Sequence, residues 1–486
     1  MTAELVDTGL EIRPDDDRVV ARLFVPGLEE VGPSGSRAAA VINRVALLSE
    51  EEVDAALADV VRRFDGRHRH LPALFADHAA RVVTLLDPDL EVSAARLALI
   101  GACFTHEFSV EAAAICNPSM AVVGEDDDGT ARFVISVRGI GEGHRSTIGF
   151  RTGSITDDGV VSLDEPSPYA TTVTGTPGLH HRSVFHARMD ALGDDFTHVS
   201  RFLTLLPPTF DDADLAEALR DAASAPTIHR FDARTMSHIT ELSRSSYVAE
   251  FPSDTDISER VLWPHAPCES QGMEDARLVR FVDDDGSITF LATYTAFDHT
   301  HVSIQLLETR DFVTFASSPV VGAAASGKGL AIFPRKVNGR FMALTRADRE
   351  TNGIATSDDL RHWPTHQTLQ VPQQSWEVVQ LGNCGPPIET EQGWLVLTHG
   401  VGPMRTYSIG ALLLDLDEPT HVLRRSREPL IVPGTGRQHG YVPNVVYSCG
   451  AVAHRDTLVV PYGVGDQRIA FATASLSGLI DAMVAE

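Results

Sequence analysis

Five stretches of this chain repeat one pattern: a turn, a large apolar residue, a β-type run, and then a residue suited to a polar site. They are residues 132–138, 290–295, 340–346, 393–399 and 457–463. Alignment on the first apolar residue puts Arg138, Thr295, Arg346, His399 and Gly463 in one register, with Tyr462 just before the last. From Thr295 to Arg346, His399 and Gly463 the steps are 51, 53 and 64 residues, a blade-sized period. A second β-type run follows each polar position, at 302–307, 353–357, 407–414 and 468–474, and supplies a further strand. Equivalent strands whose ends carry Arg, Thr, Arg, His and Tyr predict a radial array aimed at one polar centre. The expected fold is therefore mainly β, a five-bladed β-propeller with its site on the axis. A β-sandwich with coincidental strand similarity is the alternative that regular spacing leaves open.

Two regions fall outside the repeat. The step from Arg138 to Thr295 is 157 residues, so extra material follows the first blade. Residues 211–225 and 232–246 carry Ala, Leu and polar residues at helical spacing, which predicts a helical insertion over about 208–262. The other region is N-terminal. Ser49 followed by Glu52 is a capping box, and Val53, Leu57, Val60, Val61 and Phe64 continue it as one apolar helical face. Residues 71–86 and 93–104 read as two more helices. The expected division is a mostly helical region over 1–105, structural or oligomeric in role, and a propeller over 106–486.

Charge and cysteine usage narrow the function classes. The net charge is −27, so the surface repels nucleic acid and anionic lipid. Basic residues gathered at one place would have to hold an anion against that field. Five scattered cysteines suit reduced thiols rather than a disulfide framework. Residues 1–14 have no basic-then-apolar leader pattern, and no stretch approaches a membrane span. A cytoplasmic enzyme is the expectation. A homo-oligomer is left open.

Familiar catalytic loops are missing: there is no Walker A loop, no Gly-x-Ser-x-Gly elbow and no Cys-x-x-Cys. His180, His181 and His186 cluster, but no carboxylate joins them at ligand spacing, so no metal is expected. His68, His70 and His78 belong to the helical region, at its surface or packing seams. Gly139, Gly141 and Gly143 lack the strand-to-helix context of a phosphate loop and read as a mobile turn over the propeller face. Asp275 remains, at the mouth of the array and facing the Arg/His register.

The stretch Gly272-Met273-Glu274-Asp275-Ala276-Arg277 resembles the Gly-x-Glu-Asp-Pro-Arg motif of glycoside hydrolase family 130. These are five-bladed propellers, mostly β-mannoside phosphorylases with some β-1,2-mannosidases. Further blocks resemble the family in blade order. They are Asn117-Pro118-Ser119 with Arg138 and Ser146, then Phe333-Pro334-Arg335-Lys336 with Arg346. Gly385-Pro386-Pro387-Ile388-Glu389-Thr390 with His399-Gly400-Val401 follows. Val442-Pro443-Asn444-Val445-Val446, and Tyr462-Gly463 with Asp466, complete the set. The resemblance implies an inverting phosphorylase with Asp275 as its general acid and only essential carboxyl group. The acid's proton would reach the glycosidic oxygen through a sugar hydroxyl while inorganic phosphate attacks from the opposite face.

On that resemblance Asn117, Arg138, Arg277, Asp298, Tyr462 and Asp466 are expected to hold the sugar. Lys328, Arg346, His399, Arg405 and Tyr407 are expected to hold phosphate. The implied partners are a β-mannoside, β-1,2-linked by family frequency, and phosphate as co-substrate, with no cofactor. Two positions depart from the pattern. Ala276 stands where the motif has proline. Gln380 stands where the phosphorylases commonly carry a phosphate-binding lysine, which Arg405 or Lys328 would have to replace. A β-1,2-mannosidase and a non-catalytic carbohydrate-binding propeller are the alternatives.

Overall fold

The computed structural model describes residues 5–26, 36–82, 92–224, 231–434 and 439–485. The chain divides into two compact units, one of residues 15–112 with 167–171 and one of residues 1–14, 113–166 and 172–486.

The smaller unit contains the helices Arg37–Ala46, Glu50–Phe64, Leu71–Val82 and Ala94–Cys103 and a hairpin of Val19–Leu23 with Thr105–Ser109. The capping box forms. The Ser49 hydroxyl accepts from the Glu52 amide at 3.3 Å, and the Glu52 carboxylate accepts from the Ser49 amide at 2.8 Å. Of the predicted apolar face only Val53 is fully buried, against Ile42, Leu99, Ile100 and Phe104. Gly101 lets two helices touch, since a Cβ there would lie 1.8 Å from the Phe75 carbonyl oxygen. His68 pairs with Glu107 at 2.8 Å, and His78 meets the Thr105 hydroxyl at 2.6 Å. Residues 83–86, expected as helix, lie outside the described residues.

Among the described residues of the larger unit the strands form five main antiparallel groups, beside a separate short pair of His180–His181 with Thr209–Phe210. The first contains Ala114–Glu125, Ala131–Ile140, Ser146–Ile155 and Val161–Leu163. It meets the second through a single parallel pair, Ser146 with Gly272. The second group contains Gly272–Val282, Ile288–Phe297, Val302–Thr309 and Thr314–Val320, extended by Tyr247–Glu250 and Thr176–Pro177. The third contains Lys328–Ile332, Phe341–Arg346, Asn352–Ser357 and His366–Gln370. The fourth is built on Gln380–Asn383, Gly393–Gly402, Thr406–Leu414 and Val422–Arg425, with Val484–Ala485 at its edge. The fifth is built on Val446–Tyr447, Thr457–Val464 and Arg468–Ser475, and its outer strand is Val6–Ile12 from the other end of the chain.

Successive groups touch one another. The Ser119 hydroxyl accepts from the Leu278 amide at 2.9 Å, and the Asn383 amide donates to the Gly329 carbonyl at 2.7 Å. The Val282 amide donates to the Pro334 carbonyl at 2.9 Å. Likewise the Tyr407 amide donates to Asn444 and the Cys449 amide to Pro118, at 2.9 and 2.8 Å. The aligned register recurs in the pairing. Arg138, Thr295, Arg346, His399 and Gly463 lie opposite Cys116, Glu274, Lys328, Gly382 and Tyr447, each on its group's innermost strand.

The insertion is helical over a longer range than its periodicity suggests. Arg182–Ala191 and Phe196–Leu203 precede Asp212–Ser224 and Ala233–Ser243, and they share a core of Phe185, Met189, Phe202, Phe210 and Ile239. The first of these helices starts on His181, which makes no capping hydrogen bond, so the usual signal of a helix start is missing there. His180 pairs with Asp212 at 2.7 Å and His186 with Ser200 at 3.2 Å, so the histidine cluster is divided between different partners.

Candidate active site

Three innermost strands slip register at the same level. The shifts fall between Cys116 and Ser119, between Glu274 and Arg277, and between Lys328 and Ala331. Such bulges kink a strand and re-aim side chains. Two of them hold Asn117 and Asp275 at φ of 50° and 57°, a left-handed conformation that non-glycine residues seldom adopt. Two side chains from different groups are thereby turned onto each other: the Asn117 amide donates to Asp275 Oδ1 at 2.5 Å.

Arg138 organises this carboxylate corner. It donates to Asp275 Oδ1 at 3.3 Å, to Glu274 Oε1 at 2.8 Å and to the Ser146 hydroxyl at 2.9 Å. Lys328 closes the other side, with its ammonium 3.0 Å from Glu274 Oε2. Arg277 lies beneath, donating to the Asp275 backbone carbonyl and to the Tyr447 hydroxyl, each at 2.9 Å. Burial acts to raise the Asp275 pKa, but Arg138, Arg277, Lys328 and the Asn117 amide together hold it below the ordinary 3.8. Asp275 is therefore ionised at neutral pH. Asp466 behaves oppositely: burial, offset in part by Arg138, pushes it up to about 6.

Beyond Lys328 opens a cavity of about 410 Å³ lined by Thr300, His301, Val302, Lys328, Arg346, Arg349 and Gln380. Three of its seven lining residues are cationic in a chain of net charge −27. Arg346 reaches it through a gap at Gly382, where a Cβ would come within 2.0 Å of Arg346 Cδ. His399 lies behind, 0% exposed, its ring edge-on to Tyr447 at 4.9 Å between centroids. Its Nδ1 is 3.1 Å from the Asn383 carbonyl, an acceptor, so the ring proton sits on Nδ1 and Nε2 offers a lone pair. Burial first, then Arg346 and Arg277, keep this histidine neutral.

Several buried polar atoms here have no partner among the described residues: Asn117 Oδ1, Arg277 Nε, Arg346 Nε, His399 Nε2 and Asp466 Oδ1. Buried polar groups are rarely left unmatched, so their gathering marks a place built for a polar ligand.

The expected site residues are not all brought together. Asn117, Arg138, Asp275 and Arg277 share one corner, and Lys328 and Arg346 line the cavity. Tyr407 reaches the cavity wall by accepting from the Gln380 amide at a long 3.5 Å. Arg405 is exposed, at φ 55°, and acts electrostatically on Asp466. Three placements bear on the expectation. Tyr462 is 2% exposed in an apolar cluster with Leu397, Val446 and Val460, because Gly463 holds the site register and neighbouring strand residues face opposite ways. The Asp298 carboxylate caps its own turn, accepting from the amides of Thr300 and His301 at 2.9 and 2.7 Å. Asp275 also does not stand alone, since Glu274 is a second carboxylate in the register.

Sequence reasoning missed Tyr447, Glu274 and Arg349. Tyr447 directly follows the block Val442–Val446, and Glu274 was visible only as a motif letter. Arg349 returns to the cavity through a turn in which its amide donates to the Arg346 carbonyl at 3.0 Å.

A family model described as beta-1,4-mannooligosaccharide phosphorylase matches residues 235–485. A 1,2-beta-oligomannan phosphorylase of Thermoanaerobacter sp. (strain X514) is 34% identical over 216 residues, 43% of this chain and 71% of the relative. A beta-1,2-mannobiose phosphorylase of Listeria innocua is 33% identical over 232 residues, 46% of this chain and 64% of the relative. The solved structure of the Listeria innocua beta-1,2-mannobiose phosphorylase with beta-1,2-mannobiose aligns at a TM-score of 0.46 and 23% identity, covering 77% of this chain and 93% of that one. The match to the family model spans just over half of the 486 residues, and the protein belongs to glycoside hydrolase family 130.

Proposed function

We propose that the protein is an inverting β-mannoside phosphorylase that cleaves β-1,2-linked manno-oligosaccharides with inorganic phosphate and releases α-mannose 1-phosphate. One observation carries the reading: the Asn117–Asp275–Arg138 corner is joined through Glu274 and Lys328 to a cavity lined by cations. An acid and an anion site side by side are what phosphorolysis needs. The relatives named above, both phosphorylases of β-1,2-mannosides, support the same chemistry and linkage.

The chemistry follows from the charges. A phosphate dianion in the cavity offsets Arg346, Lys328 and Arg138, which raises the Asp275 pKa and lets the carboxyl carry a proton. That proton passes through a sugar hydroxyl to the glycosidic oxygen as a phosphate oxygen attacks the anomeric carbon from the opposite face. The glycosidic bond breaks with inversion. Neutral His399 accepts a hydrogen bond from a protonated phosphate oxygen, and Asn117, Arg138, Arg277 and Asp466 bind the mannosyl ring.

The contacts linking each group to the next, the last returning to Pro118, support a five-bladed propeller for the larger unit, with the helices 182–243 as an insertion. Incubation with β-1,2-mannobiose, with and without phosphate, tests the function. Mannose 1-phosphate formed only in the presence of phosphate is the expected result. Free mannose at the same rate in phosphate-free buffer would replace this reading with a β-mannosidase, and no product would leave a carbohydrate-binding protein.

A further inference from the structure

We propose that Arg349 is a phosphate-binding residue that supplies the positive charge Gln380 lacks, acting on the same cavity as the phosphorolysis reading above and resting on it. Four side chains from different positions meet there: Lys328 and Arg346 on paired strands, Gln380 on the next innermost strand, and Arg349 on the turn after Arg346. Lys328 already shares its charge with Glu274 at 3.0 Å. Arg346 already gives one guanidinium hydrogen to the Arg349 backbone carbonyl at 3.0 Å. Gln380 is neutral, and its amide is turned toward the Tyr407 hydroxyl. Arg349 differs from all three. Its guanidinium has no hydrogen-bond or ion-pair partner among the described residues.

Among the described residues no acid is paired with it. Asp348 is occupied by the amides of Glu350 and Thr351, at 3.0 and 2.9 Å, and by the Thr351 hydroxyl at 2.5 Å. The Arg349 backbone is fixed at two points, because its amide donates to the Arg346 carbonyl while its own carbonyl accepts from the Arg346 side chain. That clasp holds the residue at φ 67°, strained for a side chain other than glycine. Both arginines line the cavity. A planar guanidinium with uncommitted donors beside a second one is the arrangement that grips a tetrahedral oxyanion. The ligand is inorganic phosphate in the forward direction and the phosphate group of the sugar 1-phosphate in reverse.

The test uses the full chain, with KM measured separately for phosphate, for β-1,2-mannobiose and, in reverse, for mannose 1-phosphate. In Arg349→Ala the KM for phosphate and for mannose 1-phosphate should rise about 10- to 100-fold, the loss expected for one charge-assisted contact, while the KM for mannobiose stays within about two-fold. Adding Gln380→Lys to that variant should recover most of the loss, because it returns a cation to the lining of the same cavity. A merely structural role for Arg349 would not be rescued from Gln380. An unchanged phosphate KM in Arg349→Ala, or a rise that Gln380→Lys leaves uncorrected, overturns the proposal while phosphorolysis stands. Phosphate-independent cleavage by the unaltered protein overturns both.

Discussion

Asp275 is ionised among Arg138, Arg277 and Lys328, yet the proposed phosphorolysis needs it as a donor. On that proposal its proton arrives with the substrates, and chemistry is expected to follow phosphate binding. Asp275→Asn keeps the Asn117 and Arg138 contacts geometrically possible but removes the acid. It should lower kcat by about 10²–10⁴-fold with the KM for mannobiose little changed, in steady-state assays. Asp466 gives a second test, through pH. Its folded-state pKa of about 6 lies above the ordinary 3.8, so the folded protein holds this proton more tightly than the unfolded chain. Stability from this group is present below about pH 4, is lost as pH rises toward 6, and is level above that. Asp466→Asn stays neutral throughout. Its melting temperature relative to the parent should therefore climb between pH 4 and pH 7, and a constant offset across that range would refute the raised pKa. Weaker sugar binding in the same variant is expected, since Asp466 Oδ1 is one of the unmatched atoms of the site.

At the scale of the strand, the five equivalent positions were legible because period-2 alternation and acidic turns are written in the sequence. The turn after Val282 is an example: Gly286 at φ 81° lets the Asp283 amide reach the Ser287 carbonyl. Legibility stopped where strands bend. A bulge adds a residue and exchanges the two faces, so no periodicity foretells that Asn117 and Asp275 point at each other. A turn likewise conceals Arg349, three positions past the register yet lining the same cavity as Arg346. Tyr462 shows the cost of a slip by one, which on a strand separates site from core. The strand Val6–Ile12 was also not readable as strand, because its partner lies at the far end of the chain. A variant without residues 1–14 exposes the full edge of Arg468–Ser475, removes Ile12 from the apolar cluster with Ile469 and Phe471, and leaves Arg468 without Glu11 at 2.9 Å. It should melt several degrees lower by circular dichroism and aggregate on heating, as uncovered edges do. An unchanged melting curve would show that the strand adds nothing.

Across the whole molecule, the residues of the acid corner and the cation cavity all belong to the larger compact unit, although they come from strands of different groups. The smaller unit has its own buried ion pair, Arg18 with Glu111 at 3.2 Å, and its own apolar cluster. The N-terminal strand ties chain order to folding order. The Thr8 hydroxyl donates to the Phe471 carbonyl across 463 residues of sequence. On a ribosome the strand Val6–Ile12 must wait, unpaired, while the residues up to its partner Arg468–Ser475 are made. At roughly 5–20 residues per second that wait is on the order of half a minute to a minute and a half. Throughout it a strand with exposed backbone donors and acceptors is open to chaperones, to proteases, and to the equivalent strand of a neighbouring chain on the same message. The fifth group is thus completed only once Arg468–Ser475 has been made, and the yield of native protein in a cell depends on how well the strand Val6–Ile12 is shielded until then.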